Sequence, residues 1–137
     1  KEFDDGNRED FSGLDWRVGV TWTPRTYSTV DFTTFTNTNE TNGEGDFIDT
    51  QTYQLTWDHE WLDRVSTTVN LAYSQDEYTG ANSTRVDDNT TVTFSVNYEA
   101  QRYLVFQAGY TFDQRDSNQN VIDFDRNIVT LTVNVTL

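Results

Sequence analysis

The sequence predicts an all-β fold, an antiparallel transmembrane β-barrel, and three observations carry that prediction. Residues 125–137 read DRNIVTLTVNVTL, where Val129, Leu131, Val133, Val135 and Leu137 alternate with Thr130, Thr132, Asn134 and Thr136. As an extended strand this has one apolar face and one of hydroxyls and an amide. Tight turns start at residues 24, 62 and 100, 38 residues apart each time, with long polar stretches between the hairpins. Hydrophobic residues are only 34% of the 137 while aromatics reach 15%, a composition poor in material for a large interior core. No apolar run approaches the roughly 20 residues of a membrane-spanning helix, so any crossing must use strands.

The expected elements follow in order. Residues 1–10, with Glu2, Asp4, Asp5, Glu9 and Asp10, lack periodicity and read as the remnant of an extracellular loop. Strand 14–23 puts Leu14, Trp16, Val18, Val20 and Trp22 on one face and Asp15, Arg17, Gly19, Thr21 and Thr23 on the other. Pro24 cannot donate to a ladder and marks its end. Strand 27–37 returns with Val30 and Phe32 toward lipid, although Phe35 falls on the opposite face.

After the polar loop 38–46, strand 50–61 sets Tyr53, Leu55, Trp57 and Trp61 against Gln54, Asp58 and Glu60. Strand 65–74 carries Val65, Val69, Leu71 and Tyr73 opposite Asn70. A loop at 75–89 precedes strand 90–99, with Val92, Phe94, Val96 and Tyr98 on one face and Glu99 on the other. Strand 103–112 shows Leu104, Phe106, Ala108, Tyr110 and Phe112 opposite Gln107, and a loop at 113–124 leads into strand 126–137. Strands of about ten residues, short turns at one end and long loops at the other are the plan of an outer-membrane barrel, with the turns periplasmic.

Two sets of side chains are the candidate functional residues. Toward the lumen the alternation points Asp15, Arg17, Gln54, Asp58, Glu60, Asn70, Glu99, Gln107 and Asn134, where carboxylates favour cations and amides can hydrogen-bond sugars. Toward the lipid interface it points Trp22, Trp57, Trp61, Tyr98, Tyr110 and Phe112, with Tyr27 and Tyr103 at the short-turn ends and Tyr78 and Phe124 at the long-loop ends. His59, the single histidine, lies between Asp58 and Glu60 in sequence, but strand geometry turns it to the opposite face, away from both. No catalytic residues, metal site or cofactor are expected. The loop acids Glu40, Glu44, Asp46, Asp87 and Asp88 do not match the spaced ligands of a calcium loop.

The absence of cysteine excludes disulfides and thiolate chemistry, and a net charge of −14 excludes a nucleic-acid partner. Seven strands cannot close an antiparallel barrel, so the expectation is the C-terminal part of a larger, even-stranded barrel, completed by an odd number of preceding strands or by a partner chain. Its other partners would be outer-membrane lipid and lipopolysaccharide. A soluble carbohydrate-binding β-sandwich is the competing fold.

The segments VGVTWTPRTYST, LTWDHEW, NYEAQRYLVFQAGYTFDQRDSN and DFDRNIVTLTVNVTL give the chain a family resemblance. It resembles the putative β-barrel porin 2 family over nearly its whole length. The resemblance implies a bacterial outer-membrane barrel acting as a passive channel in exopolysaccharide export, with periplasmic polysaccharide-export proteins as partners and no catalytic residues. A general porin or structural barrel is the alternative within the same fold. Leu137 departs from the terminal Phe of many such barrels.

Overall fold

The computed structural model describes residues 15–40, 47–80 and 84–136. Seven strands, β1 (Arg17–Arg25), β2 (Ser28–Glu40), β3 (Phe47–Leu62), β4 (Val65–Thr79), β5 (Val86–Gln101), β6 (Leu104–Ser117) and β7 (Phe124–Val135), form one sheet in sequence order. Every neighbouring pair is antiparallel. A short 3₁₀ turn, Asn120–Ile122, bridges β6 and β7. Among the described residues β1 and β7 each have a strand on one side only, so the sheet is open.

Sequence sets this topology through its turns. Two-residue turns at 26–27, 63–64 and 102–103 join β1 to β2, β3 to β4 and β5 to β6. These lie one or two residues beyond the first and third expected turns. The register shifts just before each of them, between Trp22 and Arg25, Glu60 and Leu62, and Glu99 and Gln101. Pro24 therefore sits inside β1 at such an irregularity, where a missing donor is tolerated, and does not end the strand.

The strands also run further than expected at the end away from these turns. Residues 75–79 and 86–89, read as loop, continue β4 and β5 in unbroken register, and 113–117 extend β6. Strand β3 starts at Phe47 and β2 reaches Glu40. The expected loop 1–10 and the residues Glu44 and Asp46 lie outside the described residues.

Directly opposed residues of an antiparallel pair share a face, so the register sorts the whole sheet. One face carries Val20, Phe32, Leu55, Leu71, Val92 and Phe112 in one row across β1 to β6. The other carries Thr21, Asp31, Thr56, Asn70, Thr93 and Thr111. Among the described residues no second layer covers either. Phe47 is the one buried apolar side chain among the described residues, whereas Trp22, Leu71, Phe94, Val129, Leu131 and Val135 are all exposed, Leu131 by 79%. A β-sandwich needs two facing sheets; these seven strands make one, so the competing fold is not the one adopted.

Candidate functional site

The polar face is built from hydroxyls and amides that bond across the strands. The Thr56 hydroxyl donates to Asn70 Oδ1 (2.8 Å), Thr50 to Asp76 (2.7 Å) and Thr91 to Asp113 (2.8 Å), and the Thr93 and Thr111 hydroxyls lie 3.2 Å apart. Thr21 donates to Asp31 and Thr68 to Asp58, both at 2.5 Å. Cross-strand pairs of this kind contribute roughly 0.2–1 kcal/mol each.

Eight of the nine residues expected on one face are brought onto it by the register. Arg17 opposes Phe35, Gln54 opposes Ala72, Asp58 opposes Thr68 and Glu60 opposes Ser66. Asn70 opposes Thr93, Glu99 opposes Val105, and Gln107 and Asn134 face Asn97 and Val105. Asp15 precedes β1 and borders, with Arg17, Phe35 and Asn37, a cleft of about 290 Å³.

Further charged groups share this face that the alternation argument passed over: Asp31, Asp76, Asp87, Asp113, Arg115 and Arg126. Asp76, Asp87, Asp113 and Arg115 keep the parity of Asn70, Glu99 and Gln107 on their own strands, so counting on through the supposed loops would have found them; Asp31 and Arg126 lie within expected strands. Arg126 Nη2 bonds Asp113 at 2.5 Å, and Arg115 Nε donates to Asn89 Oδ1 at 2.7 Å, while Asn89 in turn donates to Asp76 at 2.9 Å.

Arg85 pairs with the fully buried Asp87 through two guanidinium nitrogens. Burial pushes the Asp87 carboxyl up, but hydrogen bonds from Arg85 and Ser117 and the charges of Arg85 and Arg115 outweigh it and hold it below its ordinary value. Asp87 and Asp88 are thus strand residues on opposite faces, not a pair in a loop.

Among the described residues three aromatic rings interrupt the polar face, and each lies under a guanidinium. Arg17 stands 4.6 Å from the centre of Phe35, Arg85 4.4 Å from Tyr78 and Arg115 5.4 Å from Phe124. Tyr78 and Phe124, expected in an interfacial belt, are therefore on the polar face, because β4 and β7 extend through residues that had been read as loop.

The apolar face shows a different order. Arg25 opposes Ser28 on this face at the turn end of β1; from the row of Trp22, Val30 and Trp57 up to the level of Tyr53 and Tyr73 its side chains include no Asp, Glu, Lys or Arg among the described residues. Beyond that level it becomes charged, with Asp49, Glu77, Asp88, Asp116 and Asp125. Two tyrosine hydroxyls mark the boundary, where Tyr53 accepts from Gln51 at 2.6 Å and Tyr73 donates to Asp88 at 2.6 Å; a third, Tyr110, in the row of Phe94, Val69 and Trp57, donates to Asn127 at 2.6 Å. All three partners lie on the side away from the short turns. Toward the turns, Trp57 Nε1 donates to Ser28 at 3.0 Å, in the opposite direction.

The expected interface aromatics Trp22, Trp57, Tyr98, Tyr110 and Phe112 oppose Val30, Val69, Phe106, Val129 and Asn127 on this face, and Trp61 bonds Thr67 on it. His59 lies here too, 4.3 Å from the Trp61 ring and 5.4 Å from those of Tyr27 and Trp57. Asp58 instead bonds Thr68 on the polar face, so the acid–histidine–acid triplet forms no cluster. No group of three or more potential metal ligands occurs among the described residues.

An antiparallel sheet, uncovered among the described residues, with one face that is apolar and free of charge over a band and one hydroxyl-lined face belongs to the class of membrane β-barrel walls. The comparison with protein families agrees: the chain belongs to the family Putative beta-barrel porin 2, whose model matches residues 1–137, the whole chain. The family's name is that of a porin-type β-barrel. Searches of curated proteins and of solved structures found no match.

Proposed function

We propose that the chain forms part of the wall of an outer-membrane β-barrel pore that acts as a passive channel, with the polar face toward the lumen and the apolar face toward lipid. One observation supports it above the rest: the apolar face lacks charge over a band with Tyr53 and Tyr73 bonding away from the turns at its far edge and Trp57 bonding toward them. In β4 that band runs from Val65 to Tyr73, nine residues, the length of a tilted transmembrane strand. Amphipathic rings settle with their polar ends toward the headgroups, which a solvent-facing sheet would not require.

In this reading the short turns are periplasmic, and the strand ends beyond Tyr53 and Tyr73 project outside among the lipopolysaccharide. The open edges need partners, because unpaired backbone groups in lipid cost several kcal/mol each. Both β1 and β7 run toward the short-turn end, so pairing them directly would be parallel. An odd number of further strands, of the same polypeptide or of a partner chain, restores antiparallel closure. Exopolysaccharide is the cargo we propose, handed over by periplasmic polysaccharide-export proteins; a wall of Thr, Ser and Asn offers many weak contacts to a moving sugar chain. A general porin has the same wall but passes small solutes without such partners.

Reconstitution into planar bilayers tests the pore. Stable unitary conductance steps are expected from the purified membrane protein, and a protein that inserts yet leaves the bilayer insulating contradicts the channel reading.

A further inference from the structure

The charges of the polar face divide sharply along the strands. In the half away from the short turns, acids and arginines balance: Asp15, Asp76, Asp87 and Asp113 stand with Arg17, Arg85, Arg115 and Arg126, and two of the acids are in direct ion pairs. From the row of Thr21, Asp31, Thr56, Asn70, Thr93 and Thr111 down to the turns, the face carries Asp31, Asp58, Glu60 and Glu99 and no cation among the described residues.

The partners of these lower acids are neutral. Asp31 and Asp58 accept hydroxyl bonds from Thr21 and Thr68, which fix each carboxylate in place without cancelling its charge. Asp58, Glu60 and Glu99 are exposed on an uncovered face. Three arginines, Arg25, Arg64 and Arg102, sit at or beside the short turns. Arg64 Nη1 contacts the Ala100 carbonyl oxygen at 3.4 Å, and all three are exposed at the rim, where solvent and salt screen them more than charges inside a wall.

We propose that this half of the wall is a cation filter: the pore, as read above, passes cations and uncharged hydroxylated solutes in preference to anions, and a polymer it carries is neutral or amine-bearing, not rich in uronate or phosphate. The mechanism is fixed-charge focusing. Carboxylates anchored on a low-dielectric wall raise the local concentration of cations and lower that of anions, and the balanced outer half adds little of its own. The rim acids on the other face, Asp88 and Asp116, stand outside this path.

The test rests on the pore reading and separates its failure from that of the filter. Reversal potentials of the reconstituted full protein in a potassium chloride gradient give the ratio of potassium to chloride permeability. A ratio of about three or more is expected, falling toward one in the variant D31N/D58N/E60Q/E99Q and unchanged in D88N/D116N. Because the chain has no cysteine, Glu99→Cys supplies a second route that acts after folding. A cationic thiol reagent there should lower the ratio and an anionic one should restore it. An insulating membrane overturns the pore and the filter together. A conducting pore with a ratio near or below one, or one indifferent to the charge placed at residue 99, overturns the filter alone.

Discussion

The band of the sheet beside the short turns and the strand ends beyond Tyr53 and Tyr73 have the same backbone and opposite sequence logic. In the band apolar and polar positions alternate, as in β4 with Val65, Val69, Leu71 and Tyr73 on one face and Ser66, Thr68 and Asn70 on the other. Past it the alternation is gone: Gln75 and Glu77 stand on one face, Asp76 and Tyr78 on the other, and the ladder to β3 and β5 continues unbroken. The difference teaches that side-chain periodicity records what each face touches, whereas strand pairing records only the backbone. Where both faces meet the same solvent, a strand has no reason to alternate.

Charge placement breaks the comparison most strongly. Leu71→Arg puts a cation in the middle of the apolar face and should destabilise the assembled barrel by about 3 kcal/mol. Glu77→Arg, six residues further along the same strand and face, should change stability by less than about 0.5 kcal/mol. Urea titrations followed by heat-modifiable gel mobility measure both, and equal costs would mean that the band and the projecting ends share one environment.

A smaller effect is expected at Asp87, which pairs with Arg85 two residues earlier in the same segment. Asp87→Asn removes a charge-assisted pair and should cost about 2 kcal/mol. The sign of its pH dependence follows from the lowered carboxyl value. The contribution is complete above the ordinary carboxylate value of about 4, and is lost as pH falls through the lower folded value. The native protein should therefore lose stability on acidification over that window more steeply than the Asn variant. Parallel pH profiles of the two would show that Asp87 is not held ionised.

This contrast also explains what could be read from the sequence. The hairpins of the band, their order and the face of Arg17, Gln54, Asn70, Glu99 and Asn134 were legible because lipid-type and polar positions alternate there. The outer halves of β4, β5 and β6 were not, since QDEYT and VDDN look like any solvated loop. That error hid Asp76, Asp87, Asp113 and Arg115, and it sent Tyr78 and Phe124 to the wrong face. The placement of Pro24 failed for a related reason: an irregularity in register accommodates a residue that composition alone treats as a stop.

The most direct test of the two-faced wall is a single-cysteine scan along β4, from residue 65 to 79, of a chain without cysteines of its own, in the membrane. Cysteines at 65, 69 and 71 should react only with a lipid-soluble maleimide and those at 68, 70 and 72 only with a water-soluble one. From 75 onward both parities should react with the water-soluble reagent. Water-soluble labelling of 69 and 71 as fast as of 68 and 70 would contradict the account.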